Sequence, residues 1–193
     1  MSCRAGFVWE TSQHFCRYLT DCGISCDVIT PHLLAAPFFR GTFNCLIIPT
    51  GFANPKYSRV LPALRASASR IERFVENGGN LLVFGAAIDK ADAYDWLPFP
   101  LQYRHDYRQR SVACSEGNPA GSILADYDAG CIECDGIFTG NEEGGPASVS
   151  CSDGAVLIDR QVGAGRVIVT SIHEYPSRAF IAAFCAAGTQ TLF

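Results

Sequence analysis

His173 and Glu174 stand side by side after one apolar run of the sequence, and Glu10 follows another. An imidazole beside a carboxylate is a pairing that activates water or holds a polar ligand. Thr50-Gly51-Phe52 and Gly85-Ala86-Ala87 follow two further apolar runs and offer chiefly backbone N–H groups. Gly51 can act as an oxyanion-type donor or simply form a tight turn. Cys131-Ile132-Glu133-Cys134 is a candidate of another kind, because two thiolates at this spacing bind one side of a zinc ion or exchange as a dithiol. Cys114, Cys151 or His105 would have to complete a zinc set, and none forms a second such pair. In a chain with ten cysteines, four of them inside apolar patterns (Cys16, Cys22, Cys45 and Cys185), packing as small hydrophobes is the expected role. Neither a metal nor a cofactor is expected.

The apolar runs must place these groups. Residues 5–9, 26–30, 44–49 and 80–85 read as short strands, the last two apolar without alternation, as strands covered on both faces are. Between them Phe15, Leu19 and Cys22 recur at helical spacing, with Thr11 or Ser12 as cap and Gly23 as stop. Residues 33–39 form a weak helix or an apolar loop. Asn54-Pro55 opens the clearest helix, whose stripe is Leu61, Leu64, Ala68, Ile71 and Val75, with Pro62 kinking or delaying its start. Strands alternating with helices imply a parallel sheet with right-handed crossovers.

The second half lacks this rhythm. Residues 91–145 read as an irregular insert with short strands near 102–107 and 132–139. Residues 147–151 and 155–162 flank Ser152-Asp153-Gly154, a hairpin signal, and Gly163-Ala164-Gly165 leads into a last strong strand at 166–172. Ser177 caps a final helix carrying Phe180, Ile181 and Phe184. The expectation is one α/β domain over residues 1–193: a flavodoxin-like three-layer sandwich with a mostly parallel sheet and a C-terminal β-hairpin extension. In such a sheet, ligands bind beyond the carboxyl ends of the strands, where Glu10, Thr50, Gly51, Gly85, Ala86, Ala87, His173 and Glu174 all fall.

The aromatic residues Tyr94, Trp96, Phe99, Tyr103 and Tyr107 interleave with Arg104, His105, Arg108 and Arg110 in the insert. They form a lid or a surface that pairs two copies of the chain, or they fill the core beneath a long loop. Glu142-Glu143 reads as a solvated turn. The net charge of −4 gives no reason to expect nucleic acid, and no run of apolar residues is long enough to span a membrane. Met1-Ser2-Cys3-Arg4 enters a strand directly, without a secretory segment, so a reduced, cytoplasmic protein is expected.

Three motifs together carry a resemblance. They are Ile47-Ile48-Pro49-Thr50-Gly51, then Asn77-Gly78-Gly79-Asn80-Leu81-Leu82-Val83-Phe84-Gly85, then the run from Gly163 to His173-Glu174. In this order they resemble the class I glutamine amidotransferase-like superfamily, particularly its ThuA-like and biotin-protein-ligase N-terminal-like branches. The resemblance implies a strained turn after the fourth strand that carries a nucleophilic cysteine in the pattern Gly-x-Cys-x-Gly, with a histidine and its orienting carboxylate at the end of the last strand. Here the pattern reads Gly85-Ala86-Ala87-Ile88-Asp89, so the nucleophile position falls on Ala87, and no Ser, Thr or Cys lies between Gly85 and Trp96. A methyl group cannot attack an amide carbon. The resemblance therefore implies a domain that is not a glutaminase, with His173 and Glu174 in the positions of base and orienter.

Three functions follow as expectations. The first is a non-catalytic domain binding a small polar ligand or a protein partner at the strand rim. The second is a hydrolase in which His173, with Glu174 or Glu10, activates water, with or without a metal. The third is an assembly protein that forms a homodimer through its aromatic insert. Dinucleotide binding is disfavoured, since no G-x-G-x-x-G follows the first strand, and Glu10-Thr11-Ser12-Gln13-His14 lacks the glycine of a flavodoxin-type phosphate loop.

Overall fold

Short apolar strands followed by helices set the architecture of the first half. A computed structural model describes residues 3–115, 117–139 and 147–193. Strands β1 (Arg4–Val8), β2 (Ser25–Ile29), β4 (Cys45–Ile48), β5 (Asn80–Val83) and β11 (Gly165–Thr170) lie parallel in the order β2-β1-β4-β5-β11. Every residue of β4 and β5 is buried, which is why both read as apolar runs without alternation. The chain moves in opposite directions along the sheet from β1 to β2 and from β4 to β5. Right-handed crossovers therefore place α1 (His14–Asp21) on one face and α3 (Val60–Ala66) with α4 (Ala68–Glu76) on the other. The last helix, α5 (Arg178–Ala187), packs beside α1, where the Arg178 guanidinium donates to the Asp21 carbonyl at 3.1 Å. The short α2 (Pro31–Ala35) packs against α3, and the Arg70 guanidinium of α4 donates to the Leu34 and Ala36 carbonyls.

Beyond β11 the sheet turns antiparallel. β10 (Gly154–Val162), β8 (Ile132–Thr139) and β6 (Gln102–Arg110) follow in that order, and β9 (Ala147–Cys151) with β7 (Ala113–Cys114) branches from β10. The sheet is thus mixed, not mostly parallel. The reason lies in the connections: a tight hairpin joins β10 to β11, too short for a parallel crossover. Nor is this hairpin an extension, because β11 is an interior strand between β5 and β10. A separate pair, β3 (Thr42–Phe43) with β12 (Thr191–Leu192), has no counterpart in the sequence reading.

Other local expectations shift for identifiable reasons. The single helix expected from Asn54-Pro55 is two helices that begin at Val60 and break at Ser67. The Ser67 side chain is buried and donates to the Leu34 carbonyl at 2.7 Å, tying the break to α2. Neither Thr11 nor Ser12 caps α1, whose N-cap is Gln13 without a side-chain bond. Ser177 does cap α5, accepting from the Phe180 N–H at 3.2 Å. The insert is largely strand. β6 runs to Arg110 along the sheet edge, with a register shift between His105 and Arg108, and its charged residues hide the period of two. Of its aromatics, Tyr94, Trp96, Phe99 and Tyr103 are buried within the chain, whereas Tyr107 is exposed. Tyr94 packs edge-on against Phe52 at 5.4 Å and Phe138 at 5.7 Å, so this cluster fills the core under the loop. Glu142-Glu143 lies outside the described residues. Among the described residues no helix is long and apolar enough to cross a membrane.

Candidate functional site

The parallel strands end along one edge, and register fixes what lies there. Ile48 of β4 pairs with Val83 of β5, and Val83 with Val169 of β11, so residues 49–51, 84–87 and 170–173 leave the sheet together. At the centre sits Ala87. Its φ of 53° places it in the left-handed region, and among the described residues no other non-glycine has a positive φ. For an L-residue that conformation costs about 1 kcal/mol or more. The position expected from the sequence to correspond to a nucleophile is thus a left-handed bend carrying a methyl. The chain beyond runs into turns at 91–99 and not into a helix, so no helix N-terminus supports the bend.

Sequence reasoning missed the residue that holds this bend. Asp135 of β8 is 3% exposed, and its Oδ2 accepts from the Ala87 N–H at 2.7 Å and from the Tyr103 hydroxyl at 2.9 Å. A Cβ on Gly85 would lie 2.3 Å from the same oxygen, so this glycine is required by the approach of the carboxylate. The Asp135 N–H donates to the Ser171 carbonyl at 2.7 Å, which locks β8 across the end of β11. Burial, then Tyr94 and Asp135, push the Tyr103 phenol far up, so it stays protonated and donates. His105 lies beyond, with its Nδ1 3.3 Å from the Tyr103 hydroxyl and 3.9 Å from Asp135 Oδ1. Tyr103 and His105 share one face of β6. A correct strand assignment pairs them from sequence alone, and a lone aspartate inside an apolar strand is the remaining signal.

Two backbone donors at this bend are engaged. The Gly51 N–H, with φ +89° at its residue, donates to the Gly85 carbonyl at 2.8 Å, and the Ala87 N–H is taken by Asp135. Gly51 therefore forms a tight turn with a committed donor. Gly85 and Ala86 are buried, while Thr50 and Ala87 are half-buried. Asn54 does not cap a helix. Its amide donates to the Ala87 carbonyl at 2.9 Å, a further clamp on the bend.

His173 and Glu174 follow β11 but make no hydrogen bond with each other. The His173 ring is exposed and lies edge-on to Tyr107 at 5.7 Å, and its N–H donates to the Glu133 carbonyl at 2.8 Å. Glu174 Oε1 accepts from the Glu133 N–H at 2.8 Å, and its Oε2 is buried without a partner. Glu10 stands at the end of β1, three strand spacings or roughly 14 Å along the edge from β11. Its Oε1 accepts from the Arg59 N–H, and its Oε2 is likewise buried without a partner. There Glu10, the segment after β2 and the segment after β4 enclose a cavity of about 670 Å³. Glu10, Thr30, His32, Lys56, Tyr57 and Arg59 are among its walls. Of the site residues read from sequence only Glu10 lines it. The sequence pattern assigns residues 55–59 to a helix, which conceals the rest.

The cysteine motif sits elsewhere. Cys131 is exposed and Cys134 buried, and burial pushes the Cys134 thiol up to about 12, away from thiolate chemistry. Among the described residues, no three His, Cys, Asp or Glu side chains are grouped to hold a metal ion.

No family model matches the chain, and no curated protein matches it in sequence. Its fold does match solved structures. A GMP synthase-like protein from Thermoplasma acidophilum is similar at a TM-score of 0.63 and 11% identity, over 97% of this chain and 94% of that one. A cytoplasmic protein from Salmonella typhimurium LT2 aligns at 0.58 and 14% identity, over 94% and 96%. A β-galactosidase from Rahnella sp. R3 aligns at 0.57 and 17% identity over 96% of this chain, which spans only 30% of that larger protein. The chain thus shares its α/β fold with these proteins, in which it is found both as a whole chain and as part of a longer one.

Proposed function

We propose that this chain is a non-catalytic domain of the class I glutamine amidotransferase-like superfamily that binds a small polar ligand at the carboxyl edge of its parallel strands. The observation that carries this reading is Ala87: a left-handed elbow with a methyl for a reagent, its N–H already bonded to Asp135. Covalent acyl transfer needs both an attacking atom and a free donor for the oxyanion. The bend offers no attacking atom, and the Gly51 N–H beside it is committed to the Gly85 carbonyl. The open polar volume lies beside it, at Glu10, where a carboxylate oxygen has no partner and a cavity adjoins. His173 and Glu174 frame the opposite end of the same edge. A cytoplasmic setting fits ten free thiols.

The test is a thermal-shift survey of small polar metabolites, amino acids, sugars, carboxylates and nucleotides among them, against wild type and Glu10→Gln. The reading expects at least one compound to raise the melting temperature of wild type and to do so far less in the variant. A survey in which nothing shifts the folded wild-type protein would discard it, as would ammonia release from glutamine.

A further inference from the structure

The cavity beside Glu10 occupies a particular place in the topology. From β1 the chain crosses to β2 on one side, and β4 lies on the other. The cavity's walls are Glu10 after β1, Thr30, Pro31, His32 and Ala35 after β2, and residues from Pro55 to Ala63 after β4, so it lies between α2 and the start of α3 at the carboxyl edge of the strands. The carboxyl edge of the strands is where open α/β sheets receive ligands.

Its walls have a definite chemistry. Lys56 and Arg59 contribute two cationic side chains, and among the described residues neither enters an ion pair or a side-chain hydrogen bond. Glu10 is the one carboxylate among the lining residues. Its Oε1 is held by the Arg59 N–H, while Oε2 is shielded from solvent and has no partner, so a rotation of the Glu10 carboxylate is what presents it to a ligand donor. The Tyr57 ring is 65% exposed, an unusual state for a large apolar surface, and its edge rests near Gly51 and not in the core. Pro31 at the start of α2, Pro62 within α3 and Pro55 in the loop before it border the same space, and Pro55 restricts that loop, which lowers the ordering cost of binding.

An unpaired cationic pair, an acceptor without a donor and an exposed aromatic face call for three complementary parts in one molecule. These are an anionic group, a hydroxyl or amino donor and a flat ring. From this we infer that the crevice between Glu10 and the Lys56–Arg59 loop binds a mononucleotide. The base stacks on Tyr57, a sugar hydroxyl donates to Glu10, and the phosphate lies on Lys56 and Arg59. Side-chain cations hold the phosphate here, so no glycine-rich loop is required. A volume of about 670 Å³ has room for a ligand of that size. This inference rests on the proposed ligand-binding reading and gives its ligand a class.

Isothermal titration of the full chain with AMP, GMP, CMP and UMP tests it, with adenosine, ribose 5-phosphate and inorganic phosphate as partial probes. At least one mononucleotide is expected to bind at least tenfold tighter than each partial probe. Glu10→Gln, which keeps an oxygen for the Arg59 N–H, and Tyr57→Ala should each weaken that binding about tenfold, with circular dichroism unchanged. Equal binding of phosphate and mononucleotide would overturn the inference, and so would nucleotide binding indifferent to both substitutions. If no nucleotide binds but another metabolite does so in a Glu10-dependent way, the nucleotide assignment fails while the ligand-binding reading survives. If nothing binds, both fall.

Discussion

The backbone N–H of Ala87 donates to Oδ2 of Asp135 at 2.7 Å, across 48 residues of sequence. A buried carboxylate from a distant strand thereby fixes the left-handed bend from within the chain. Asp135 itself is held by Tyr103, and the left-handed turn of Ala87 is clamped further by Asn54.

The first consequence is that returning the nucleophile does not return the reaction. Ala87→Cys should give a thiol that iodoacetamide alkylates but that releases no ammonia from glutamine. The Gly51 N–H is committed to the Gly85 carbonyl, and one missing oxyanion donor alone costs about 10²–10³ in rate. Mass spectrometry of the protein mixed with glutamine checks this, since a glutamyl thioester on residue 87 would refute it.

Asp135 should matter more to stability than an ordinary polar residue. Asp135→Ala leaves the Ala87 N–H and the Tyr103 hydroxyl without their acceptor, at a cost of about 3 kcal/mol. Asp135→Asn keeps an acceptor oxygen and should cost only about 1 kcal/mol. Denaturant titration of the two variants separates these values, and equal losses would contradict the geometry.

The conformation of Ala87 has its own signature. Glycine relieves about 1 kcal/mol of left-handed strain and gives back a similar amount through the freer unfolded chain. Ala87→Gly should therefore fall within about 0.5 kcal/mol of wild type. Ala63→Gly, inside α3, should lose about 1 kcal/mol or more. A clear loss at position 87 would show that its backbone is not left-handed.

Much of this is readable in the sequence, and the failures share a cause. Apolar runs announce the parallel strands, so β1, β2, β4, β5 and β11 are legible, as is the lack of any Ser, Thr or Cys between Gly85 and Trp96. β6 is blurred because an edge strand carries charge on both faces and a register shift breaks its period. With it goes the pairing of Tyr103 and His105. Asp135 belongs to a contact between strands distant in sequence, which no local pattern encodes. The Lys56–Arg59 wall is lost by extending a helix back through Pro55, when the turn at Asn54 serves Ala87 instead.

The cysteines predict a labelling pattern. Burial raises the Cys134 thiol from 9.0 to about 12. An acid with a raised folded value favours its neutral form, so the associated stability is fully present below pH 9 and fades as pH climbs towards 12. Brief alkylation of the folded protein at pH 8 should modify the exposed Cys131 and Cys114 and leave Cys134 intact, as peptide mass spectrometry would show. Rapid modification of Cys134 would instead favour a reactive pair.

The central claim is that this edge binds without reacting, and that binding occurs at Glu10 and not at Ala87. Amide chemical-shift mapping with whichever metabolite stabilises the protein tests both halves at once. The account predicts that resonances of Glu10, Lys56, Tyr57 and Arg59 move, that the Ala87 amide stays fixed in its bond to Asp135, and that the metabolite is recovered unchanged. Movement centred on Ala87 and His173, or conversion of the metabolite during the titration, would contradict it.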